Sequence, residues 1–437
     1  MGLTLAFGIG YDNKQHTLTY FSQEMKIVSG VYLLGMWAYG LALRVASAFN
    51  PKARLLCQGR KETWRKLREY DNTGGCVWIH AASLGEFEQG RPLIEAIKEK
   101  TPNQKIVLTF YSPSGYEVRK NYNKADLVCY LPADGPQNAK RFVEAINPTS
   151  VYFVKYEFWH FFLKAIHSKG LPLYGISMIF RKQQPFFSQW GDWFRDMLRM
   201  FTHIYVQDTM SGELLDGIGV RNFSVVGDTR FDRVRQIADS AADVPAIKEF
   251  AQGAAHVIVA GSTWPPDEDI IVDYVNHAAD RGIKLVIAPH EIDKPRVDAL
   301  CAKFTVPYVR YTAMDDAGLA AAKVFVVDTI GILSAIYRYG TLTYVGGGFG
   351  VGIHNTLEPA IYGLPVIFGP NHKRFKEAVD LIECGGGFCI TDKKSFNTLV
   401  DGLMADPFRL RAAGEAAGRY CQSMLGATAK IMADTRG

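Results

Sequence analysis

Short apolar segments alternate with longer helical segments twice along the chain, and this alternation constrains the fold more than any other feature. In the first series, the predicted strands are 77–82, 105–111, 127–131, 151–155, 173–177, 203–207 and 224–226. In the second series, they are 256–261, 284–288, 323–327, 342–345 and 365–368. The second series has predicted helices near 267–281, 293–303, 331–339, 375–384 and 393–435. Strands separated by helices of about ten to fifteen residues indicate βαβ units and a mostly parallel sheet.

The two series predict an α/β protein with two Rossmann-like domains that face each other across a cleft. A length of 437 residues fits about two or three domains. We expect an extension at 1–24 that is disordered or forms a strand, and an anchor helix with a basic segment at 25–70. The first domain is predicted at 71–233 and the second at 255–437, with a linker at 234–254. The last helix is free to pack back on the first domain.

The N-terminal part contains an apolar stretch followed by a basic one. Residues 27–43 are seventeen residues without a charge, at the short end for crossing a bilayer. In 51–70, seven basic residues stand against two acidic ones, an excess equal to the net charge of +5 of the whole chain. A basic segment directly after an apolar one fits the positive-inside rule and attracts anionic lipids. We predict membrane association through 27–68, spanning or lying on the membrane; the alternative is a buried helix followed by a solvated basic one.

Composition and sequence motifs disfavour a nucleic-acid-binding protein, a dehydrogenase and a metal-bound pyrophosphate site. The basic residues are not repeated through a domain with a nucleic-acid-binding motif, so no nucleic-acid partner is predicted. Seven cysteines without a CxxC pair indicate reduced thiols in the cytosol. No GxGxxG motif opens either series, which disfavours a dehydrogenase. No acidic pair is placed to hold a metal-bound pyrophosphate, because Asp315 and Asp316 fall in a predicted surface loop.

The first strand of the first series ends in a candidate catalytic segment. His80 lies on the strand, and Ser83, Gly85 and Glu86 follow where the first helix opens. A helix N-terminus stabilises a carboxylate, and Glu86 at the cleft edge is a candidate general base for a sugar hydroxyl. The alternative is that Glu86 only caps the helix. His80 is expected to be a packed histidine.

Further charged residues follow other strands of the first series. Lys155 and Glu157 come after the fourth strand, and Arg230 comes after the last one. Lys155 is placed to meet an anion, Glu157 to orient a substrate, and Arg230 to clamp a carboxylate or phosphate. Each also has a plain structural alternative, which for Arg230 is a surface position near a hinge.

The second series places its loops at one edge of the predicted sheet. The glycine-rich stretch 346–358 ends in His354-Asn355-Thr356-Leu357-Glu358, and we read it as loop, helix start and short helix. Glycines let a backbone approach a ligand, and a helix N-terminus offers N–H groups to an anion. Glu358 is placed to accept a hydrogen bond from a sugar hydroxyl; the alternative for the whole stretch is a tight turn. Segments 261–263, 289–291 and 328–333 end other strands, so together they predict a nucleotide cradle.

Taken together, these motifs resemble the 3-deoxy-D-manno-octulosonic acid (Kdo) transferases, over about residues 25–430. The resemblance rests on the apolar helix with its basic tail and on 80–86, 111–115, 157–159, 227–232, 328–331 and 354–358. It implies a GT-B fold and inverting transfer of Kdo from CMP-Kdo to a lipid A precursor, without a metal or other cofactor. It also implies a place on the cytoplasmic face of the bacterial inner membrane, among inner-membrane lipids, with a single N-terminal anchor.

The resemblance carries roles onto particular residues. Glu86 takes the position of the family's general base, and Arg230 stands where the family usually has a stabilising lysine. Lys155 stands where the family often has a glutamate, and Pro289-His290-Glu291 replaces the usual Pro-Arg-His. The donor contacts fall on His290, Glu291, Gly331, Ile332, Leu333, Asn355, Thr356, Leu357 and Glu358. Further candidates are Ser83, Gly85, Glu157, Ser262, Thr263, Gly347, Gly348 and His354.

Two other functions remain open from the sequence. One is a GT-B glycosyltransferase that uses a UDP-sugar and a lipid acceptor. The other is a non-catalytic membrane protein that binds a nucleotide sugar.

Overall fold

A computed structural model describes residues 10–278 and 281–435, with side chains from residue 26 onward. The chain divides into two compact units. The first contains Met1–Arg230 together with Gly426–Gly437, and the second contains Phe231–Leu425. Each unit is built on its own parallel sheet.

The sheet of the first unit has seven parallel strands in the order β3-β2-β1-β4-β5-β6-β7. They are β1 Cys76–Ala81, β2 Ile106–Phe110, β3 Leu127–Tyr130, β4 Pro148–Val154, β5 Leu173–Met178, β6 His203–Val206 and β7 Phe223–Val225. In β1, Ile79 pairs with Leu108 of β2 on one side and with Tyr152 of β4 on the other. Every residue of β1 is buried, as expected for a central strand covered by helices on both faces.

Helices surround this sheet. They are α1 Gly10–Ala46, α2 Pro51–Glu69, α3 Leu84–Lys100, α4 Pro113–Arg119, α5 Pro136–Ile146, α6 His160–Ser168, α7 Asp192–Arg199 and α8 Thr209–Gly217. The core on one face centres on Trp78, whose ring contacts Phe142 and Phe153 at 5.2 and 5.3 Å between centroids. Helix α9, Thr229–Ser240, begins in this unit and continues into the second.

The second unit also has a parallel seven-stranded sheet, in the order β10-β11-β9-β8-β12-β13-β14. Its strands are β8 His256–Thr263, β9 Ile283–Pro289, β10 Tyr308–Arg310, β11 Val324–Val326, β12 Leu342–Val345, β13 Val366–Phe368 and β14 Gly387–Cys389. Its helices are α10 Pro245–Ala251, α11 Pro265–His277, α12 Lys294–Cys301, α13 Asp316–Ala321, α14 Leu333–Ile336, α15 Leu357–Ala360, α16 Lys376–Glu383, α17 Lys393–Ala405 and α18 Pro407–Ser423. The last helix of the chain, α19 Ala427–Asp434, belongs to the first unit.

The structure corrects several predicted elements. Strands β10 and β14 have only three residues each and were not predicted. The single helix predicted over 393–435 is three helices, because Pro407 starts a new one and Gly426 adopts a left-handed φ of 101° before the last. The stretch 234–254, predicted as a linker, is occupied by α9 and by α10, which buries Ile247 and Phe250 in the second unit.

The prediction for the N-terminal extension was wrong for residues 10–24. They are the first part of α1, and no proline interrupts the chain between Gly10 and Ala46, so the helix continues into the apolar stretch. Residues 1–9 lie outside the described residues. Within α1, Lys26–Ala46 has the length and composition of a membrane-crossing helix, with a mean hydropathy of 1.3.

One side of α1 is fixed to the first unit by polar contacts. The Tyr32 hydroxyl donates to Asp134 at 2.8 Å, and the Ser29 hydroxyl lies 3.1 Å from His160 Nε2. Asp134 is buried, and it also accepts the backbone N–H groups of residues 161 and 162 at the start of α6. Exposed apolar side chains line the rest of α1: Ile27, Val28, Val31, Leu33, Leu34, Trp37, Leu41 and Val45. A helix with a fixed polar side and an exposed apolar surface fits contact with a membrane.

Helix α2, the basic segment of the sequence, is part of the core of the first unit. Leu56, Thr63 and Leu67 are buried, and the Thr63 hydroxyl donates to the carbonyl of Tyr130 in β3 at 2.9 Å. Most of the basic residues of α2 lie on the sides that face away from this contact. The segment is therefore an amphipathic helix on the domain, and not a freely solvated one.

Candidate functional site

The turn from β1 into α3 places Glu86 at a helix start. Ser83 is the N-cap of α3, and its side chain accepts the backbone N–H of Glu86 at 3.5 Å. In return, Glu86 Oε2 accepts the N–H of Ala82 at 2.5 Å. This reciprocal arrangement is close to a capping box, so the capping role that the sequence allowed is present. Among the described residues, no hydrogen bond to Glu86 Oε1 is found, so the carboxylate keeps an oxygen for a ligand.

The surroundings of Glu86 raise its pKa to about 7. Burial is the largest cause, and the negative charge of Glu157 adds to it. The Ala82 N–H, His80 and Lys155 act in the opposite direction and favour the carboxylate. A carboxyl group with a pKa near neutrality is well matched to take a proton from a hydroxyl group and to release it again.

Glu157, which follows β4, is buried and held by two side-chain donors. Its Oε2 accepts the Trp159 indole N–H at 2.5 Å and the His80 Nε2–H at 2.8 Å. His80 Nδ1 lies 2.8 Å from the Thr109 hydroxyl on β2, so both ring nitrogens have partners. His80 is therefore the packed histidine that the sequence predicted, and it fixes a carboxylate beside Glu86.

Lys155 lies at the end of β4, in an unusual backbone conformation. Its φ is +66°, in the left-handed region that costs energy for a residue with a side chain. Its ammonium group lies 5.6 Å from the centre of the Tyr156 ring, and its charge favours the ionised form of Glu86. The structure thus brings Lys155, Glu157 and Glu86 into one group of charges.

Arg230 is positioned by the buried Asp228. The carboxylate of Asp228 accepts the Arg230 backbone N–H at 2.9 Å and its Nε–H at 2.8 Å. The same carboxylate accepts the side-chain amide of Gln89 at 3.2 Å, and the Thr229 hydroxyl donates to the Gln89 carbonyl at 2.6 Å. Gln89 lies on α3, the helix that begins with Glu86, so these bonds tie the Arg230 segment to that helix.

In the second unit, the glycine-rich stretch has the predicted form of strand, loop, short helix and strand. It connects β12 to α15 and then β13. Gly347 has a φ of +91°, and a Cβ there would lie 2.5 Å from the carbonyl oxygen of Gly352. A Cβ on Gly348 would lie 2.5 Å from the backbone N of Gly369. Only glycine fits these two positions, because the loop folds closely on itself and on β13. Helix α15 is a single turn of four residues.

Asp267 holds the start of this loop. Its side chain is 1% exposed and accepts three hydrogen bonds from different parts of the unit. The donors are the Tyr344 hydroxyl at 2.7 Å, the Gly347 N–H at 2.9 Å and the Trp264 N–H at 2.9 Å. One buried carboxylate therefore joins the end of β12, the loop and the start of α11.

Three aromatic rings stack beside the loop. The ring of His290 stacks on both Trp264 and His354, at 4.7 and 4.4 Å between centroids. The Trp264 indole N–H donates to His354 Nε2 at 3.1 Å, which requires that nitrogen to be unprotonated. Burial, followed by the charge of His290, lowers the pKa of His354, in agreement with a neutral ring. The structure thus brings together two histidines that lie far apart in the sequence.

Glu358 joins two more of the predicted segments. Its carboxylate accepts the Ser334 hydroxyl at 2.6 Å and the Asn355 amide at 3.1 Å. Ser334 lies on α14, directly after Ile332 and Leu333 and after the left-handed Gly331 with φ +96°. The segments 331–333 and 355–358 therefore meet at Glu358.

The contacts of the remaining predicted residues are those of residues with a structural role. The Thr263 hydroxyl donates to the buried Glu268 at 3.1 Å, and Ser262 has a left-handed φ of +52°. Thr356 is fully buried, and among the described residues its hydroxyl has no hydrogen-bond partner. Gly85 and Glu291 lie exposed at the surface of their units.

Comparisons with known proteins show which family this chain resembles. Residues 54–233 match the family model described as 3-deoxy-D-manno-octulosonic-acid transferase (kdotransferase). A 3-deoxy-D-manno-octulosonic acid transferase of Aquifex aeolicus is 26% identical, over 76% of this chain and 87% of that protein. One from Bordetella pertussis is 25% identical, over 82% of this chain and 86% of that protein. The chain is thus similar to the Kdo transferases over most of its length. These similarities indicate a glycosyltransferase.

Solved structures support the fold described above. The UDP-GlcNAc 2-epimerase of Neisseria meningitidis, solved with UDP-GlcNAc, superposes with a TM-score of 0.58 at 15% identity. The alignment covers 82% of this chain and 99% of the epimerase. At this identity the likeness concerns the fold alone. With the two parallel sheets, it confirms the predicted GT-B type of fold.

Sequence reasoning missed the residues that hold the candidate site in place. Asp267, Asp228 and Trp264 were not singled out. For Asp267, the sequence contained a signal. Pro265 and Pro266 indicate the start of a helix, and an acidic residue at the third helical position often accepts the backbone N–H of the N-cap residue. The bonds of Asp267 to Tyr344 and Gly347 had no such signal, because the partners lie about 80 residues away.

Replacing Asp267 with Ala is expected to destabilise the second unit by about 3 kcal/mol, because three buried donors lose their acceptor. Urea unfolding, followed by a probe in the second unit, measures this loss. Asp269→Ala is the matched control on the same helix, since that side chain is exposed and pairs with Lys303 at the surface. The control is expected to change the free energy of unfolding by less than about 1 kcal/mol. Equal effects of the two variants would contradict the role given to Asp267.

Proposed function

We propose that the protein transfers Kdo from CMP-Kdo to a lipid A precursor in lipopolysaccharide synthesis, with inversion and without a metal ion. The observation that carries the proposal is Glu86, a partly buried carboxyl group with a pKa of about 7 at the start of α3. Similarity to the Kdo transferases supports the choice of sugar, and the names of the relatives supply its identity.

In the proposed mechanism, Glu86 is the general base. Its carboxylate takes the proton from an acceptor hydroxyl while the oxygen forms a bond to the anomeric carbon of Kdo. The bond from that carbon to the CMP phosphate breaks, and CMP leaves with the electron pair. CMP is a good leaving group, so the reaction depends on positioning and charge stabilisation more than on acid catalysis. Arg230, partly exposed and oriented by Asp228, stabilises the charge on the departing phosphate.

The second unit is proposed to hold the donor. Glu358 and Asn355 offer hydrogen-bonding groups at the junction of the segments 331–333 and 355–358. His290 is exposed at one side of the aromatic stack, where a planar base or a phosphate can contact it. Glu291 follows it at the same strand end.

A lipid acceptor would account for the exposed apolar side chains of helix α1. We propose that the exposed apolar side chains of α1 enter the cytoplasmic leaflet of the bacterial inner membrane. The acceptor sugar then lies at the membrane surface, within reach of the first unit. The basic side chains of α2 are placed to attract anionic headgroups.

Glu86→Gln is expected to lower turnover by about 100-fold or more, because an amide cannot accept the proton. Thermal stabilisation by CMP is expected to stay as in the wild type. Turnover of CMP-Kdo with a lipid A precursor measures the first effect, and a melting curve with CMP measures the second. Glu88→Gln, two residues further along α3, is the control and is expected to keep normal turnover. A Glu86→Gln variant with near-normal turnover would refute the assignment.

The pH dependence of kcat/KM gives an independent test of the base. Below its pKa Glu86 is protonated and cannot accept a proton, so the rate is expected to rise with pH through about 7. Glu157→Gln removes a neighbouring negative charge, which lowers the pKa of Glu86 and moves this rise to lower pH. A wild-type rise centred near 4.5, the ordinary pKa of a glutamate, would contradict the proposal, as would an unmoved rise in the variant.

The donor nucleotide separates this proposal from its alternatives. CMP is expected to raise the melting temperature of the full chain, whereas UDP at the same concentration is expected to leave it unchanged. Stabilisation by UDP alone would favour a glycosyltransferase that uses a UDP-sugar. Stabilisation by CMP without any turnover of CMP-Kdo would favour a non-catalytic binding protein.

A further inference from the structure

A short, well-fixed loop in the first unit presents a tryptophan to solvent. We call the residues 184–191, between β5 and α7, the Trp190 ledge. Pro185–Phe187 form a single 3-10 turn, and Phe186 is buried in the core. The Arg195 guanidinium donates to the carbonyl of Phe186 at 3.0 Å and to that of Ser188. The Gly191 N–H donates to the Ser188 carbonyl at 3.2 Å, so the backbone of the ledge is held at several points.

Trp190 itself is 91% exposed, more than any other large apolar side chain among the described residues. The Trp190 side chain is therefore almost completely exposed to water, although the backbone that carries it is held in place. Tryptophan combines a large apolar ring with a polar N–H group. It is therefore enriched where a membrane meets water.

The ledge adjoins the apolar helix α1. Trp193, three residues after Trp190 and in the first turn of α7, donates its indole N–H to the Ser29 hydroxyl at 3.3 Å, and its ring lies 5.4 Å from that of Tyr32. Ser29 and Tyr32 lie on the fixed side of α1, among the exposed Ile27, Val28 and Val31. The ledge therefore ends just before a side chain that contacts α1.

The charges around the ledge favour an anionic membrane over an apolar protein partner. Arg181 and Lys182, at the entrance of the ledge, are exposed. The acidic residues that follow, Asp192 and Asp196, form ion pairs with Arg195 and Arg199. Two exposed cations beside an exposed tryptophan match a bilayer interface that carries negative headgroups.

From these observations we infer that the Trp190 ledge is a second membrane contact, in which the Trp190 ring inserts into the headgroup region of an anionic bilayer beside α1. The inference rests on the membrane association proposed above. It adds a second fixed point, so the first unit has a defined orientation at the membrane instead of turning about α1 alone.

Binding of the full chain to vesicles tests this inference. The vesicles contain phosphatidylcholine with about one third phosphatidylglycerol, in a flotation assay. Trp190→Ala is expected to weaken vesicle binding by about tenfold. Its melting temperature should be unchanged, because the side chain is almost fully exposed. Phe408→Ala, an equally exposed aromatic in the second unit, is the matched control and is expected to bind as the wild type. Brominated lipids should quench the wild-type fluorescence more than that of Trp190→Phe.

The outcomes separate the inference from the proposal on which it rests. If the wild type and Trp190→Ala bind vesicles equally and show equal quenching, the inference is overturned, while membrane association through α1 stands. If the wild type does not bind vesicles at all, the proposed membrane association fails and the inference fails with it. If Trp190→Ala binds vesicles normally but is lost from native membranes, the ledge contacts a protein, and the inference is again overturned.

Discussion

Buried carboxylates that accept several hydrogen bonds fix the candidate site segments within each of the two units. Glu157 in the first unit accepts from His80 and Trp159, and Asp267 in the second accepts from three groups on separate segments. A buried charge is costly unless donors surround it, so each carboxylate fixes the position of every group that bonds to it. Loops at the ends of parallel strands are otherwise the least constrained parts of such a fold.

The chemistry proposed for Glu86 depends on the first of these carboxylates. Glu157 cannot move away from Glu86, because its donors come from β1 and from the segment after β4. Its charge therefore adds to the effect of burial and raises the pKa of Glu86. Lys155 and His80 act in the opposite direction and favour the ionised form of Glu86. The base is thus tuned by neighbours that never need to contact a substrate.

The sequence predicted the order of the long elements and the strand ends at which the candidate residues lie. Buried strands such as β1 and β12 have an apolar pattern of sufficient length, and Ser83 with Glu86 marks a helix start. Strands β10 and β14 were not predicted, because three residues are too few to show a hydrophobic pattern. The helix predicted over 393–435 ignored Pro407, which starts a new helix after Asp406.

The connections that hold the site could not be read from the sequence. Asp228 bonds to Gln89, and Tyr32 to Asp134, across more than a hundred residues, and only the folded sheets bring them together. The same holds for the stack of Trp264, His290 and His354. Helix α1 illustrates a further limit. Its hydropathy predicted a membrane helix, whereas its fixed side follows from two polar residues, Ser29 and Tyr32, within the apolar stretch.

The central proposal is that this protein moves Kdo from CMP-Kdo to a lipid A precursor. The most direct test incubates the purified full chain with CMP-Kdo and the precursor in vesicles, and measures the products by mass spectrometry. We predict that the lipid gains the mass of one or more Kdo residues while CMP is released in equal amount. An unchanged lipid, or the same product from a UDP-linked sugar in place of CMP-Kdo, would contradict the account.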